Sequence, residues 1–172
     1  MDESGKKKMH FEFRQMKNED IPVFVDELFA ILFDNMSKIA PTGNTYEQDF
    51  QEWSDCVVPV WRNGKRSVVL IFCENKCCGF FQYCVHESTF RMDEIQFRKE
   101  YQGSGLFTDL YRHLTTVIPP STKYVDAFTR KENIKAQSIL QHLGLSIVSE
   151  TSNGHLWYFK GEYDTLLKKY AS

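Results

Sequence analysis

The sequence predicts a mixed α/β fold in a single domain, and three observations lead there. Strand-like and helix-like hydrophobic periodicities alternate along the chain. Polar turn signals join several of the strand-like runs into hairpins. The length of 172 residues, 42% of them hydrophobic, fits one core of ordinary size. Residues 1–10 are expected to be a flexible N-terminus and residues 11–172 the domain.

The elements follow in order. His10 to Met16 reads as a short strand, and Asn18, Glu19 and Asp20 offer an N-cap to the helical series Val23, Phe24, Leu28, Ile31, Leu32. Pro41, Thr42 and Gly43 break that pattern. A less regular helix with Tyr46, Phe50 and Trp53 comes next. The β-branched run from Ser67 to Cys73 and the run from Cys77 to Val85 flank the turn Glu74, Asn75, Lys76, which predicts a hairpin. Thr89 to Phe97 is a further strand leading to glycines 103 and 105, after which Leu106, Phe107, Leu110, Leu114, Val117 and Ile118 mark one face of a helix. Pro119 and Pro120 stop it. Lys123 to Thr129 is the next strand, and Asn133 opens a helix that carries Ile134, Ile139, Leu140 and Leu143 and ends at Gly144. Two last strands, Ser146 to Thr151 and His155 to Lys160, flank Asn153 and Gly154, a dipeptide suited to a tight hairpin turn.

Charge and composition exclude several function classes. A formal net charge of −2 gives no electrostatic reason to expect nucleic acid as a partner. The Lys6, Lys7, Lys8 run is too short to alter that, and reads as a solvated end. No apolar stretch approaches the roughly 18–20 residues that span a bilayer, and no signal-peptide core follows the basic N-terminus, so no membrane association and a cytoplasmic location are expected. The 5 cysteines form no paired array with metal spacing, which predicts reduced thiols and no metal.

The chemistry concentrates where a strand becomes a helix. Gly103 and Gly105 let backbone N–H groups at the helix start approach an anion such as a pyrophosphate, although a glycine turn that merely reverses the chain has the same composition. A dinucleotide-binding reading fails because Thr108 stands at the third glycine position and too little chain follows for a doubly wound sheet. A P-loop reading fails because no Gly-Lys-Ser/Thr follows.

Gln102, Gly103, Ser104, Gly105, Leu106 and Phe107 resemble the pyrophosphate loop of the GNAT superfamily of acyl-CoA-dependent N-acetyltransferases, Gln/Arg-x-x-Gly-x-Gly/Ala, except at the last position. The lead-in from Phe97 through Tyr101 is similar too. So is the later series Asn133, Ala136, Ile139, Leu143, Gly144, Leu145, which matches an Asn-x-x-Ala helix ending in Gly-Phe. With Arg14 and the Glu19, Asp20, Ile21 opening, the resemblance covers nearly the whole chain. It implies a three-layer fold with a central, mostly antiparallel twisted sheet between helices, and acetyl-CoA as cosubstrate. It also implies that the loop N–H groups hold the pyrophosphate, that backbone groups near Phe97 hold the pantetheine arm, and that Asn133 bonds the cofactor beside Ala136.

The sequence departs from the family at two places. Phe107 replaces a small residue, and its ring either crowds the pyrophosphate or enters the core. Leu140 stands where many members carry a tyrosine general acid, so another residue or water must protonate the thiolate. Tyr101, Tyr111 and Tyr158 are unranked candidates. For the base that deprotonates the amine, the strand before the loop offers Asp93 and Glu94. Strand alternation sends only one of the two into a cleft, and Glu94 is the choice. An N-acetyltransferase acting on a small-molecule or peptide amine is the expected activity; an acyl-CoA-binding module that has lost its acid or base is the alternative. The succession Trp157, Tyr158, Phe159 places apolar groups on both faces of one strand, which either a homodimer contact or a core and a substrate cleft would explain.

Overall fold

In a computed structural model, which describes residues 8–171, seven strands form one sheet in the order β1-β2-β3-β4-β5-β7-β6. The strands are β1 (Phe11–Gln15), β2 (Ser67–Cys73), β3 (Lys76–His86), β4 (Thr89–Phe97), β5 (Tyr124–Arg130), β6 (Ser146–Glu150) and β7 (Leu156–Glu162). The helices are α1 (Ile21–Met36), α2 (Tyr46–Arg62), α3 (Leu106–Val117), α4 (Ile134–His142) and α5 (Tyr163–Tyr170). Every neighbouring pair of strands is antiparallel except β4 and β5, which run parallel. Lys6 and Lys7 lie outside the described residues.

Local chemistry explains the connections. The β2–β3 hairpin closes through Glu74 and Asn75, both with positive φ (51° and 66°), the backbone twist that suits a two-residue loop. Thr45 caps α2 by accepting from the Gln48 N–H at 3.2 Å, and Gln48 reaches back to the Thr45 N–H. The β6–β7 connection is wider than the tight turn expected. Asn153 spends its side chain accepting from the His155 N–H and the Thr151 hydroxyl, and this opens the loop to residues 151–155. Helix α5 was not anticipated, although Tyr163, Leu166 and Tyr170 form its buried stripe.

Packing divides along the sheet. Helices α1 and α2 cover one face, where Ile21, Leu28, Val57 and Trp61 meet Val68, Leu70 and Phe80. Helices α3, α4 and α5 cover the other, where Leu110, Tyr111, Leu140 and Leu166 meet Phe81, Phe90, Val125 and Phe159. Burying apolar area on both faces stabilises a three-layer arrangement. Strand β7 shows the two-sided use of its aromatic run, with Phe159 in the core and Tyr158 on the opposite face donating to Asp126 at 2.7 Å. Among the described residues, no helix is long and apolar enough to cross a membrane.

The parallel pair opens the sheet. Strands β4 and β5 are in register only from Thr89 opposite Tyr124 to Met92 opposite Ala127. Beyond that point they separate. Asp93 to Phe97 and Phe128 to Arg130 become the two walls of an open wedge with α3 and α4 at its mouth.

Candidate functional site

Strand β4 parts from β5 at a β-bulge. Met92 pairs with Tyr83 and Glu94 with Gln82, so Asp93 is an extra residue with no partner on β3. The bulge cancels the alternation expected of neighbouring residues. Both Asp93 and Glu94 line the wedge, and the expectation that only one of them would do so is corrected. Their surroundings still differ. Asp93 Oδ2 sits 3.6 Å from Arg66 Nε and has no hydrogen-bond partner among the described residues. Glu94 accepts from Gln96 Nε2.

That amide is held in turn by α1. Asn35 Nδ2 donates to Gln96 Oε1 at 2.9 Å and to the Phe97 carbonyl at 2.8 Å. Oriented this way, the Gln96 N–H group points at the Glu94 carboxylate. Burial nevertheless dominates and raises the Glu94 pKa to about 7; the Gln96 bond works against that rise, and the nearby Asp93 charge adds to it. Glu94 is thus half ionised near neutrality, the condition that suits a general base.

The glycine loop lies further along the same wedge. Gly103 and Gly105 have positive φ (78° and 86°), and a Cβ on either would meet no protein atom within 4 Å. The space in front of them is open to a ligand. Ser104 is turned inward, its hydroxyl donating to the Tyr101 carbonyl. The α3 ladder begins with Asp109 N–H donating to Gly105 C=O, which leaves the N–H groups of Leu106, Phe107 and Thr108 without helical acceptors. The Leu106 side chain is buried in the core, so its backbone alone can serve an anion. Phe107 tilts against Tyr111 with ring centroids 4.4 Å apart, so its ring packs sideways onto the core.

Helix α4 supplies the opposite wall. Asn133 caps it by accepting from the Ala136 N–H at 3.1 Å, and Lys135 Nζ donates to Gln102 Oε1 at 2.7 Å, tying α4 to the glycine loop. The loop and α4 bound a cavity of about 420 Å³ lined by Phe97, Gln102, Gly103, Phe107, Asn133 and Ala136. Free N–H groups, positive-φ glycines and a neighbouring lysine fit the diphosphate of coenzyme A.

Two further cavities continue from it. The wedge itself holds about 250 Å³ and is lined by Glu94, Tyr111, Asn133 and Leu140. Beyond lies a chamber of about 580 Å³ between the α1–α2 connection and the sheet. Met36 lines all three, while Glu94 and Arg130 line both the wedge and the chamber.

Of the three tyrosines considered as acids, Tyr111 lines the wedge; its hydroxyl lies 3.1 Å from the Met92 sulfur, a weak acceptor. Burial raises its pKa strongly. Tyr158 is engaged with Asp126, and Tyr101 packs edge-on to Phe11. Burial likewise pushes the Cys77 and Cys78 thiols up to about 11 and about 12, which makes them poor nucleophiles. Among the described residues, no cluster of His, Cys, Asp and Glu could hold a metal ion.

Asn35, Met36, Gln96 and Arg130 had not been singled out from the sequence. Each belongs to no motif, and only the folding of α1 and β5 beside β4 brings them together.

No family model matches the sequence, and no curated protein matches it. Solved structures do. An acetyltransferase from Thermus thermophilus superposes with a TM-score of 0.70 at 15% identity, covering 91% of this chain and 99% of that one. The PaiA N-acetyltransferase from Thermoplasma acidophilum in complex with coenzyme A gives a TM-score of 0.70 at 12% identity over 90% of this chain and all of that one (100%). The aminoglycoside acetyltransferase AAC(6')-Ib with coenzyme A and kanamycin gives 0.65 at 15% identity, covering 95% and 100%. With its parallel β4–β5 wedge and mixed seven-stranded sheet, this chain has the fold of the GNAT acetyltransferases.

Proposed function

We propose that this chain transfers an acetyl group from acetyl-CoA to the amine of an acceptor by direct attack. The observation that carries the reading is the series of three cavities, adjoining through shared lining residues, from the glycine loop, by way of the wedge at Glu94, to the chamber beside α1 and α2. Structural neighbours crystallised with coenzyme A support it. When bound, acetyl-CoA supplies a thioester carbonyl. The N–H groups of Leu106, Phe107 and Thr108, with those of Gly103 and Gly105, would hold its diphosphate, Asn133 and Ala136 would flank the pantetheine arm, and the Phe97 strand end would lie beside that arm.

Glu94 takes the proton that leaves the amine nitrogen as the nitrogen–carbon bond forms and the carbon–sulfur bond breaks. Leu140 cannot protonate the departing thiolate and burial makes Tyr111 a weak acid, so water in the open wedge returns that proton. Much of the rate then comes from holding amine and thioester in line, which can lower a barrier by several kcal/mol.

Acetyl-CoA-dependent release of free thiol against a panel of amines tests this. Turnover that disappears in Glu94→Gln supports the assignment. Tight binding of acetyl-CoA with no transfer to any amine would leave the alternative, a binding module, which the absence of a tyrosine at Leu140 favours.

A further inference from the structure

We infer that the acceptor is an α-amino acid with a large apolar or aromatic side chain; this inference rests on the acetyl transfer proposed above. The junction of wedge and chamber is the place to begin. An amine attacking the thioester must lie beside Glu94. Across the junction, Arg130 ends β5 on the same side of the sheet, since residues 126, 128 and 130 share that face and Asp126 and Phe128 point to it. Glu94 reaches the same side because its partner Gln82 accepts from Trp61 of α2 at 2.7 Å.

Arg130, exposed at the end of β5, is the one cation among the described residues that line the chamber, and its guanidinium makes no ion pair or side-chain hydrogen bond with another described residue. Nor does it pair with Glu94, whose carboxylate accepts from Gln96 Nε2 instead. A carboxylate-binding group and a proton acceptor therefore line the same junction of wedge and chamber. An α-amino acid carries an amine and a carboxylate one carbon apart and fits both, with the planar fork of arginine suited to a bidentate grip.

The chamber fixes the rest of the molecule. Its wall is Phe29, Leu32, Phe33 and Trp53, with Phe29 stacked edge-on against Phe50 and tilted against Trp53. Such a wall gains from burying an apolar side chain, because each stretch of apolar surface removed from water is favourable. Two carboxylates also line the chamber, but neither competes for the amine. Asp49 is occupied by the Thr42 hydroxyl at 2.7 and 2.8 Å, and Glu52 is on the exposed outer edge.

The test compares phenylalanine with phenethylamine, which lacks the carboxylate, and with glycine, which lacks the side chain. Acetyl transfer is followed as thiol release, and binding of N-acetylphenylalanine is followed by calorimetry. Phenylalanine is expected to exceed both comparators in kcat/KM by roughly tenfold or more, the loss that follows when a charged partner is left unpaired. Arg130→Gln should collapse the preference for phenylalanine over phenethylamine, and Arg130→Lys should restore part of it, with acetyl-CoA affinity unchanged in both. Equal use of phenethylamine, or transfer only to polyamines or peptide N-termini, overturns the inference and leaves the acetyltransferase reading intact. Failure of the wild-type protein to bind acetyl-CoA defeats that reading instead. In that case the amino-acid site is judged by N-acetylphenylalanine, and absence of saturable binding overturns it.

Discussion

The buried Glu94 carboxylate, which we propose as the base, comes at a cost to the fold. Its folded-state pKa of about 7 lies above the ordinary carboxylate value, so the native state holds the proton more tightly than the unfolded chain. The penalty is absent at about pH 4, grows between about 4.5 and 7 and is complete above about 7. Glu94→Gln should therefore be more stable than wild type at about pH 8, by about 1–3 kcal/mol, and no more stable at about pH 4, as read by urea unfolding. Its turnover should fall about a hundredfold or more, and the acidic limb near pH 7 should vanish from the pH–rate profile. Gln96→Leu removes the N–H that favours the ionised carboxylate and should shift that limb to higher pH. Asp93→Asn is no neutral control, because the bulge places both carboxylates in the wedge. In the same wedge, Tyr111→Phe should leave turnover and acetyl-CoA affinity nearly unchanged, and a large loss of turnover at unchanged affinity would assign the thiolate's proton to Tyr111 instead of water. Gly105→Asp should abolish acetyl-CoA binding in calorimetry, since its side chain would fill the open space before the loop with a like charge. The glycines were legible because their chemistry is local. Arg130 was not, because its meaning depends on a strand far from it in the chain.

Strand β4 marks where sequence reading succeeds and where it stops at the level of elements. Its limits, Thr89 to Phe97, follow from an apolar run bounded by a turn and a polar lead-in. Its bulge does not, since an extra residue is defined only against the partner strand. Helix α5 was missed for a different reason. Eight residues give a helical period little room to declare itself, and burial of Tyr163, Leu166 and Tyr170 in the core stabilises a helix that would be marginal alone. The β3–β4 contact has a stricter requirement. A Cβ at Gly79 would fall 2.4 Å from the Gln96 carbonyl oxygen and 3.0 Å from Phe97 Cδ1. Gly79→Ala must push the end of β4 outward, at a cost of about 1–3 kcal/mol. A fall of several degrees in melting temperature together with weaker acetyl-CoA binding is expected, because the displaced residues line the cavity beside the glycine loop. Lower stability with unchanged affinity would separate the strand end from the cofactor site.

At the scale of the whole molecule, the sheet is two halves joined by a short parallel seam. Strands β1 to β4 lie on one side and β5, β7 and β6 on the other, with four residue pairs between them. Below the seam the halves are clamped by a shared core, in which Phe90, Leu110, Val125 and Phe159 are packed with almost no exposure. Above it the two walls of the wedge stand apart. The element order and the antiparallel character were legible as alternating periods and turn signals, but the splay was not, because it arises from a register that no single segment encodes. A ligand lying between the walls substitutes for the missing strand contacts and couples the two halves. Acetyl-CoA at about a hundred times its Kd should add about 2.7 kcal/mol to stability, equivalent to a rise in melting temperature of roughly 5–10 °C for a chain of this length. The location of that gain distinguishes a bridging ligand from one held by the glycine loop alone. Amide hydrogen exchange should slow on both walls, in residues 94–97 of β4 and in residues 129–136 from the end of β5 into α4, as well as at the loop. Strands β1 and β2, remote from the wedge, should exchange as before. Protection confined to the loop would mean that the pantetheine arm does not occupy the wedge, and Glu94 would then be too far from the thioester to act as its base.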